Sequence, residues 1–172
     1  MIRVATNNDI KAIENTYTEL LTYEQEHTNN SNWKLGVYPT IKVPQEKIPT
    51  STMFVLEENH EICASMVLNQ EQAKEYDSIK WQYKVTKDKV LVIHTLCVPP
   101  SQAGKGYGSA MIKFAKDYAL QRGSSVVRLD TYAHNEPAKS LYLKHGFTIA
   151  GYGSILLQGL IKEDQVYLEC KL

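Results

Sequence analysis

The run VLVIHTLCV at residues 90–98 is apolar and rich in β-branched residues, the pattern of a central buried strand. A glycine-rich segment follows it, and then Tyr107, Met111, Phe114, Ala115 and Tyr118 recur on one helical face until Gly123 ends the helix. Ser125–Thr131 reads as another strand. A buried strand, a tight turn, a helix and a second strand close as a right-handed parallel crossover. That unit excludes an all-helical bundle and an all-antiparallel sandwich.

The flanks extend it. Residues 2–5 read as a short strand. Thr6-Asn7-Asn8-Asp9 resembles a capped helix start, with an acid three residues after the cap. Ile10, Ile13, Tyr17, Leu20 and Leu21 carry that helix to about Glu26. The stretch through Thr52 reads as irregular, with Pro39, Pro44 and Pro49, yet it holds Trp33 and Tyr38. Met53–Glu58 and Glu61–Leu68 read as a hairpin about Asn59-His60. Gln70–Asp88 is polar and shows no period. Pro137 suits the first turn of a helix with Ala138, Leu141, Tyr142 and His145, closed by Gly146. Two strands end the chain, and in the last Val166, Leu168, Cys170 and Leu172 alternate with polar residues and Tyr167. The predicted class is α/β, a central mixed sheet with helices on both faces, in one domain over residues 1–172.

Composition removes several functions. Nineteen basic residues balance nineteen acidic ones, without the excess of a dedicated nucleic-acid binder. The N-terminal segment is too polar for a signal peptide, and no apolar run could span a membrane. Cys63, Cys97 and Cys170 are few, odd in number and in strand-like contexts, which suits a reducing cytoplasm rather than a disulfide framework. No cysteine–histidine spacing suggests a metal.

The segment Ser101-Gln102-Ala103-Gly104-Lys105-Gly106-Tyr107-Gly108 lies between the strand and the helix. Closely spaced glycines let backbone amides converge, and a helix N-terminus behind them attracts anions. Such a loop can hold a pyrophosphate without a metal. It lacks the Gly-Lys-Ser/Thr ending of a nucleotide P-loop, and Ser109 stands where a G-x-G-x-x-G fingerprint would need its third glycine.

A second segment, Asn135 to Phe147, reads N-x-x-A-x-x-L-Y-x-x-x-G-F. With Leu91–Val98 and the G-K-G-Y-G loop, in this order, it resembles the GCN5-related N-acetyltransferase superfamily. The resemblance implies a mostly antiparallel sheet with one splayed parallel strand pair, and acetyl-coenzyme A as co-substrate. Backbone groups of Leu96, Cys97 and Val98 would bind its pantetheine arm, and amides of Ala103, Gly104, Lys105, Gly106, Tyr107, Gly108 and Ser109 its pyrophosphate. Asn135 would touch the cofactor, and Tyr142 would protonate the departing sulfur. The family usually has Arg or Gln where this chain has Ala103.

An amine must lose a proton before it attacks. His94 precedes Leu96 and Val98 by even steps on one strand face and is the candidate base, with a water chain as the alternative, while Cys97 points to the opposite face and reads as inert. Asp130 and His134 read as turn and capping residues, and Trp81 as part of a satellite cluster. Trp33 and Tyr38 are candidate acceptor-binding residues. The expected function is direct acetyl transfer to a small amine, with a homodimer admitted and no nucleic-acid or membrane partner. A protein N-terminal or lysine acetyltransferase and a coenzyme A-binding sensor are the rivals.

Overall fold

A computed structural model describes residues 1–172. Seven strands form one sheet: β1 (Ile2–Val4), β2 (Met53–Glu58), β3 (Glu61–Asn69), β4 (Val90–Cys97), β5 (Val126–Tyr132), β6 (Thr148–Leu157) and β7 (Ile161–Lys171). Their order is β1-β2-β3-β4-β5-β7-β6. Four helices accompany them: α1 (Ile10–Glu26), α2 (Lys42–Lys47), α3 (Tyr107–Gln121) and α4 (Glu136–Lys144). The β1–β2, β2–β3, β5–β7 and β6–β7 ladders are antiparallel, and β4 runs parallel to β5. The parallel register pairs Val90, Leu91 and Val92 with Val126, Val127 and Arg128. β4 then runs on to Cys97, and β5 to Tyr132. The α/β class, the mixed and mostly antiparallel sheet and its parallel pair agree with the sequence reading.

The chain divides into two compact units. The first comprises residues 1–29, 33–68 and 94–111. Its helix start is the expected one. The Thr6 amide donates to Asp9 Oδ2 at 2.7 Å, and Arg3 clamps the same carboxylate at 2.8 and 2.9 Å. That pairing lowers the Asp9 pKa to about 2. Ile13, Thr16, Tyr17 and Leu21 bury one stripe of α1. Ile13 and Tyr17 pack with Met53, Val55, Val67 and Cys97. Asn59 and His60 take positive φ, +51° and +65°, as a two-residue hairpin turn demands. The stretch read as irregular contains α2, since Pro44 lies within its first turn, where a missing N–H breaks no helical bond.

The second unit comprises residues 30–32, 69–93 and 112–172. Here β7 buries both faces. Val166, Leu168 and Cys170 are buried as their alternation predicted, but so are Tyr167 and Glu169 between them and Glu163 and Gln165 before them. The aperiodic stretch 70–89 covers part of that polar face. Tyr76 and Trp81 pack edge-on to Tyr167. Arg128 lies 4.1 Å over the Trp81 ring and donates to Gln72 Oε1 at 2.8 Å and the Tyr83 carbonyl at 2.9 Å. Its partner Glu169 accepts the Gln82 amide at 2.6 Å. Trp81 is thus a packing residue, as expected.

Candidate active site

β4 changes character midway. Val90 to Ile93 are buried without a break, after which burial alternates: His94 and Leu96 are half-buried, while Thr95 and Cys97 are buried. His94, Leu96 and Val98 therefore share the less buried side of the chain. Cys97 lies on the other side, 1% exposed, its thiol directed to Thr16, and burial pushes its pKa up to about 12. A neutral buried thiol is a poor nucleophile, as the sequence reading held.

Thr95 is the unexpected residue. Its φ is +49°, a left-handed conformation that a β-branched side chain adopts at a cost of about 1–3 kcal/mol. Its hydroxyl is 2.5 Å from the Tyr38 hydroxyl. Tyr38 in turn meets Trp33 edge-on, with ring centroids 5.7 Å apart. The two aromatic residues singled out in the loop thus lead to the residue beside His94. Nothing in the local sequence around Thr95 announces this. A threonine in a β-branched run reads as an ordinary strand residue, and its partner lies 57 positions away.

β4 leads into a 3₁₀ turn, Pro100–Gln102, tied to α1 where the Ser101 amide donates to Glu19 Oε1 at 2.7 Å. The Ala103 amide donates to the Pro100 carbonyl at 3.1 Å, so this member of the predicted anion-binding set is already engaged by its own turn. Beyond it, Gly104 and Gly106 take φ of +76° and +81°, and a Cβ built on either would meet nothing within 4 Å. The loop backbone thus borders open space in a conformation that suits glycine. Lys105 Nζ donates back to Gln102 Oε1 at 2.8 Å, and the Tyr107 hydroxyl is bonded to Glu58. Helix α3 begins at Tyr107, and the first helical bond runs from the Ala110 amide to the Gly106 carbonyl. N–H groups of a first turn have no carbonyl four residues back, and with the helix dipole they favour an anion. The loop from Gly104 to Ser109 thus joins two left-handed glycines beside open space to the first turn of α3.

In the second unit, Asn135 caps α4: its Oδ1 accepts the Ala138 amide at 3.2 Å, and its Nδ2 lies 3.5 Å from Thr131 Oγ1. The cap positions Tyr142 two turns along. Tyr142 is 7% exposed, its ring edge-on to Phe147 at 5.7 Å. Burial and the charge of Asp130 both raise its pKa, so the phenol keeps its proton at neutral pH. Asp130 is not the turn residue expected from the sequence: it lies within β5 and accepts the Tyr76 hydroxyl at 2.6 Å. The signal was available, since Asp130 keeps step with Arg128 and Tyr132 on one strand face. His134 does lie in a turn, exposed and packed edge-on to Tyr132. No group of three or more His, Cys, Asp or Glu side chains is arranged to hold a metal ion.

Comparison with known proteins follows the same lines. The model of the Acetyltransferase (GNAT) family matches residues 11–147. An uncharacterised N-acetyltransferase of Bacillus subtilis, YhfO, is 34% identical over 94 residues, which is 52% of this chain and 61% of that protein. A streptothricin acetyltransferase of Escherichia coli is 38% identical over 71 residues, 41% of this chain and 37% of that one. Both alignments span less than two thirds of the relative. Among solved structures, a candidate acetyltransferase of Staphylococcus aureus Mu50 superposes with a TM-score of 0.73 at 27% identity, over 99% of this chain and 98% of its own. The yncA protein of Salmonella typhimurium, solved with its cofactor acetyl-CoA, shares the fold with a TM-score of 0.68 at 19% identity, over 100% of this chain and 93% of its own.

Proposed function

The chain belongs to the Acetyltransferase (GNAT) family, and we propose that it moves the acetyl group of acetyl-CoA directly onto a primary amine of a small molecule. The observation that carries this reading is the loop ahead of α3, where Gly104 and Gly106 hold left-handed backbone beside open space. A diphosphate fits such a cradle: it needs convergent amides, close backbone approach and a favourable dipole. Amides from Gly104 to Ser109 hold it, backbone groups of Leu96, Cys97 and Val98 bind the pantetheine arm, and the Asn135 carboxamide adds a contact while its oxygen caps α4. The small-molecule acceptor has support from the relative named for streptothricin.

Acetyl-CoA supplies an acetyl group activated as a thioester. His94 accepts the proton of the incoming ammonium, leaving the nitrogen lone pair free to attack. Thr95, held in its left-handed conformation and bonded to Tyr38, turns the peptide groups of β4 at this point, so that a strand N–H can donate to the carbonyl oxygen. As the C–S bond breaks, Tyr142, which burial keeps protonated, donates its proton to the departing sulfur, and the second proton lost by the acylated nitrogen returns to the Tyr142 oxygen. Tyr38 and Trp33 line the acceptor's side of β4. The three cysteines are free thiols, as a reducing cytoplasm would keep them. No helix is long and apolar enough to cross a membrane.

Thiol release from acetyl-CoA, followed with a panel of primary amines, tests the reading. Amine-dependent release supports it. Acetyl-CoA binding with no release for any amine would make the chain a sensor and overturn it.

A further inference from the structure

Six residues other than glycine have a positive φ: Asn32, Ser51, Asn59, His60, Thr95 and Gln158. Five of them lie outside the strands, and none of those five is β-branched. Thr95 alone stands inside a strand, with the kind of side chain least suited to that backbone. A left-handed residue within a strand is ordinarily glycine, and it turns the adjoining peptide groups out of the regular alternation. Threonine persists in such a conformation only where its surroundings determine it.

The contacts around Thr95 all belong to the first unit. Thr95 is 9% exposed, and its hydroxyl meets the Tyr38 hydroxyl at 2.5 Å. Tyr38 is anchored in turn. Its amide donates to the Lys34 carbonyl at 3.0 Å, and the Lys34 amide donates to the Tyr38 carbonyl at 3.1 Å. The Val37 amide donates to the same Lys34 carbonyl at 3.0 Å, across Gly36 with φ of +75°. Trp33 packs edge-on against the Tyr38 ring. Residues 33–38 thus form a closed bracket that presents one hydroxyl to one strand residue. The Tyr38 ring can still line the acceptor's path, but its hydroxyl is engaged by β4. Glycine at 95 would take the left-handed turn freely without fixing it. Threonine bonded to Tyr38 carries the strain and can be fixed.

We propose that Tyr38 is a positioning residue for the transfer step: its hydroxyl holds Thr95 in the left-handed turn that aims a β4 backbone N–H at the thioester carbonyl oxygen. This rests on the acetyl-transfer reading above. It moves the Tyr38 hydroxyl from acceptor recognition to the chemistry, so its loss acts on the rate of the chemical step and not on the acceptor's affinity.

Rapid-mixing rates of coenzyme A release test the role, with the full chain in excess over acetyl-CoA. The primary amine of the panel that gives the fastest release from the parent is varied in concentration. Tyr38→Phe should lower the maximal rate on the order of tenfold, the scale of one hydrogen bond whose buried partner is left unsatisfied. Thr95→Val, which keeps the branched side chain and loses the hydroxyl, should fall as far. Thr95→Gly also lacks the hydroxyl but takes the turn freely, so it should be at least roughly threefold faster than Thr95→Val. Adding Tyr38→Phe to Thr95→Gly should cost less than about twofold more, because the bond is already absent. The amine concentration at half-maximal rate should stay within about twofold of the parent's in every variant, whereas a hydroxyl that touched the acceptor would raise it. A hydroxyl that only supported the fold would slow Tyr38→Phe as much with glycine at 95 as with threonine. If Thr95→Val fails to fold, Tyr38→Phe with and without Thr95→Gly makes the same comparison, the double variant being the faster. An unchanged maximal rate in Tyr38→Phe, glycine at 95 no faster than valine or than Tyr38→Phe alone, or an effect confined to the half-maximal amine concentration overturns the positioning role and leaves the transferase reading standing. Absence of amine-dependent release by the parent overturns the transferase reading, and the positioning role with it.

Discussion

Replacing Gly106 separates what the loop does for the fold from what it does for the ligand. Gly106 and Gly159 have φ of +81° and +69°, and at each a Cβ would meet nothing within 4 Å. Gly159 lies in the β6–β7 turn, far along the chain from the loop and from every residue assigned to coenzyme A. Alanine at either position should therefore cost only the left-handed backbone, about 1–2 kcal/mol. At about 2–4 °C per kcal/mol for a chain this long, each variant should melt about 2–8 °C below the parent. Coenzyme A affinity should diverge. Gly159→Ala should bind as the parent does, and Gly106→Ala should bind more weakly, because its methyl enters the space assigned to the pyrophosphate. Gly106→Asp adds a negative charge. At about 4 Å that repulsion is worth about 1 kcal/mol in bulk water and about 4 kcal/mol near a protein surface, a further loss of about fivefold to a thousandfold. The excess of aspartate over alanine should shrink as salt is added. Calorimetric titration at two salt concentrations, with melting curves of the same samples, reads all of this. Undiminished coenzyme A binding by Gly106→Asp, in a protein as folded as Gly159→Ala, would refute the cradle.

Three further outcomes follow from particular contacts. Tyr142→Phe should lower kcat on the order of a hundredfold, the lower end of what a general acid supplies, with coenzyme A affinity unchanged in calorimetry. Arg128→Ala leaves Glu169, fully buried, without its cation, and should cost about 3–5 kcal/mol in chemical denaturation, with Glu169→Gln restoring part of the loss. The Asp9 pKa is lowered, so its contribution is present above the ordinary carboxylate range and lost as pH falls toward about 2. The stability gap between the parent and Asp9→Asn should close over that window in acid-titrated denaturation curves.

Much of the fold could be read from the sequence because its signals were local. The capping residues Thr6 and Asp9, the stripe Ile13, Tyr17 and Leu21, the hairpin turn at Asn59-His60 and the apolar run of β4 each declare an element within a few positions. The motif pair located the loop and α4 in the same way. Features set by distant partners were not legible. Helix α2 is short and holds a proline that reads as a breaker until its place in the first turn is known. The left-handed Thr95 is bonded to Tyr38, far away in the chain. Tyr167 and Glu169 alternate with apolar residues and Glu163 and Gln165 stand in a polar run, so this side of β7 reads as a solvent face, yet it is buried, in part under residues 70–89, whose own composition shows no period. For the same reason Asp130 was read as a turn residue: its partner, the Tyr76 hydroxyl, lies 54 positions away in the chain.

The central claim, direct acetyl transfer to an amine, is tested by following isotopically labelled acetyl-CoA with mass spectrometry of both the amine and the intact protein. The account predicts the label on the amine nitrogen of product, in amounts that track coenzyme A release, with none on the protein at any time. Label accumulating on Cys97 or another side chain, or release of coenzyme A with the amine left unlabelled, would contradict it.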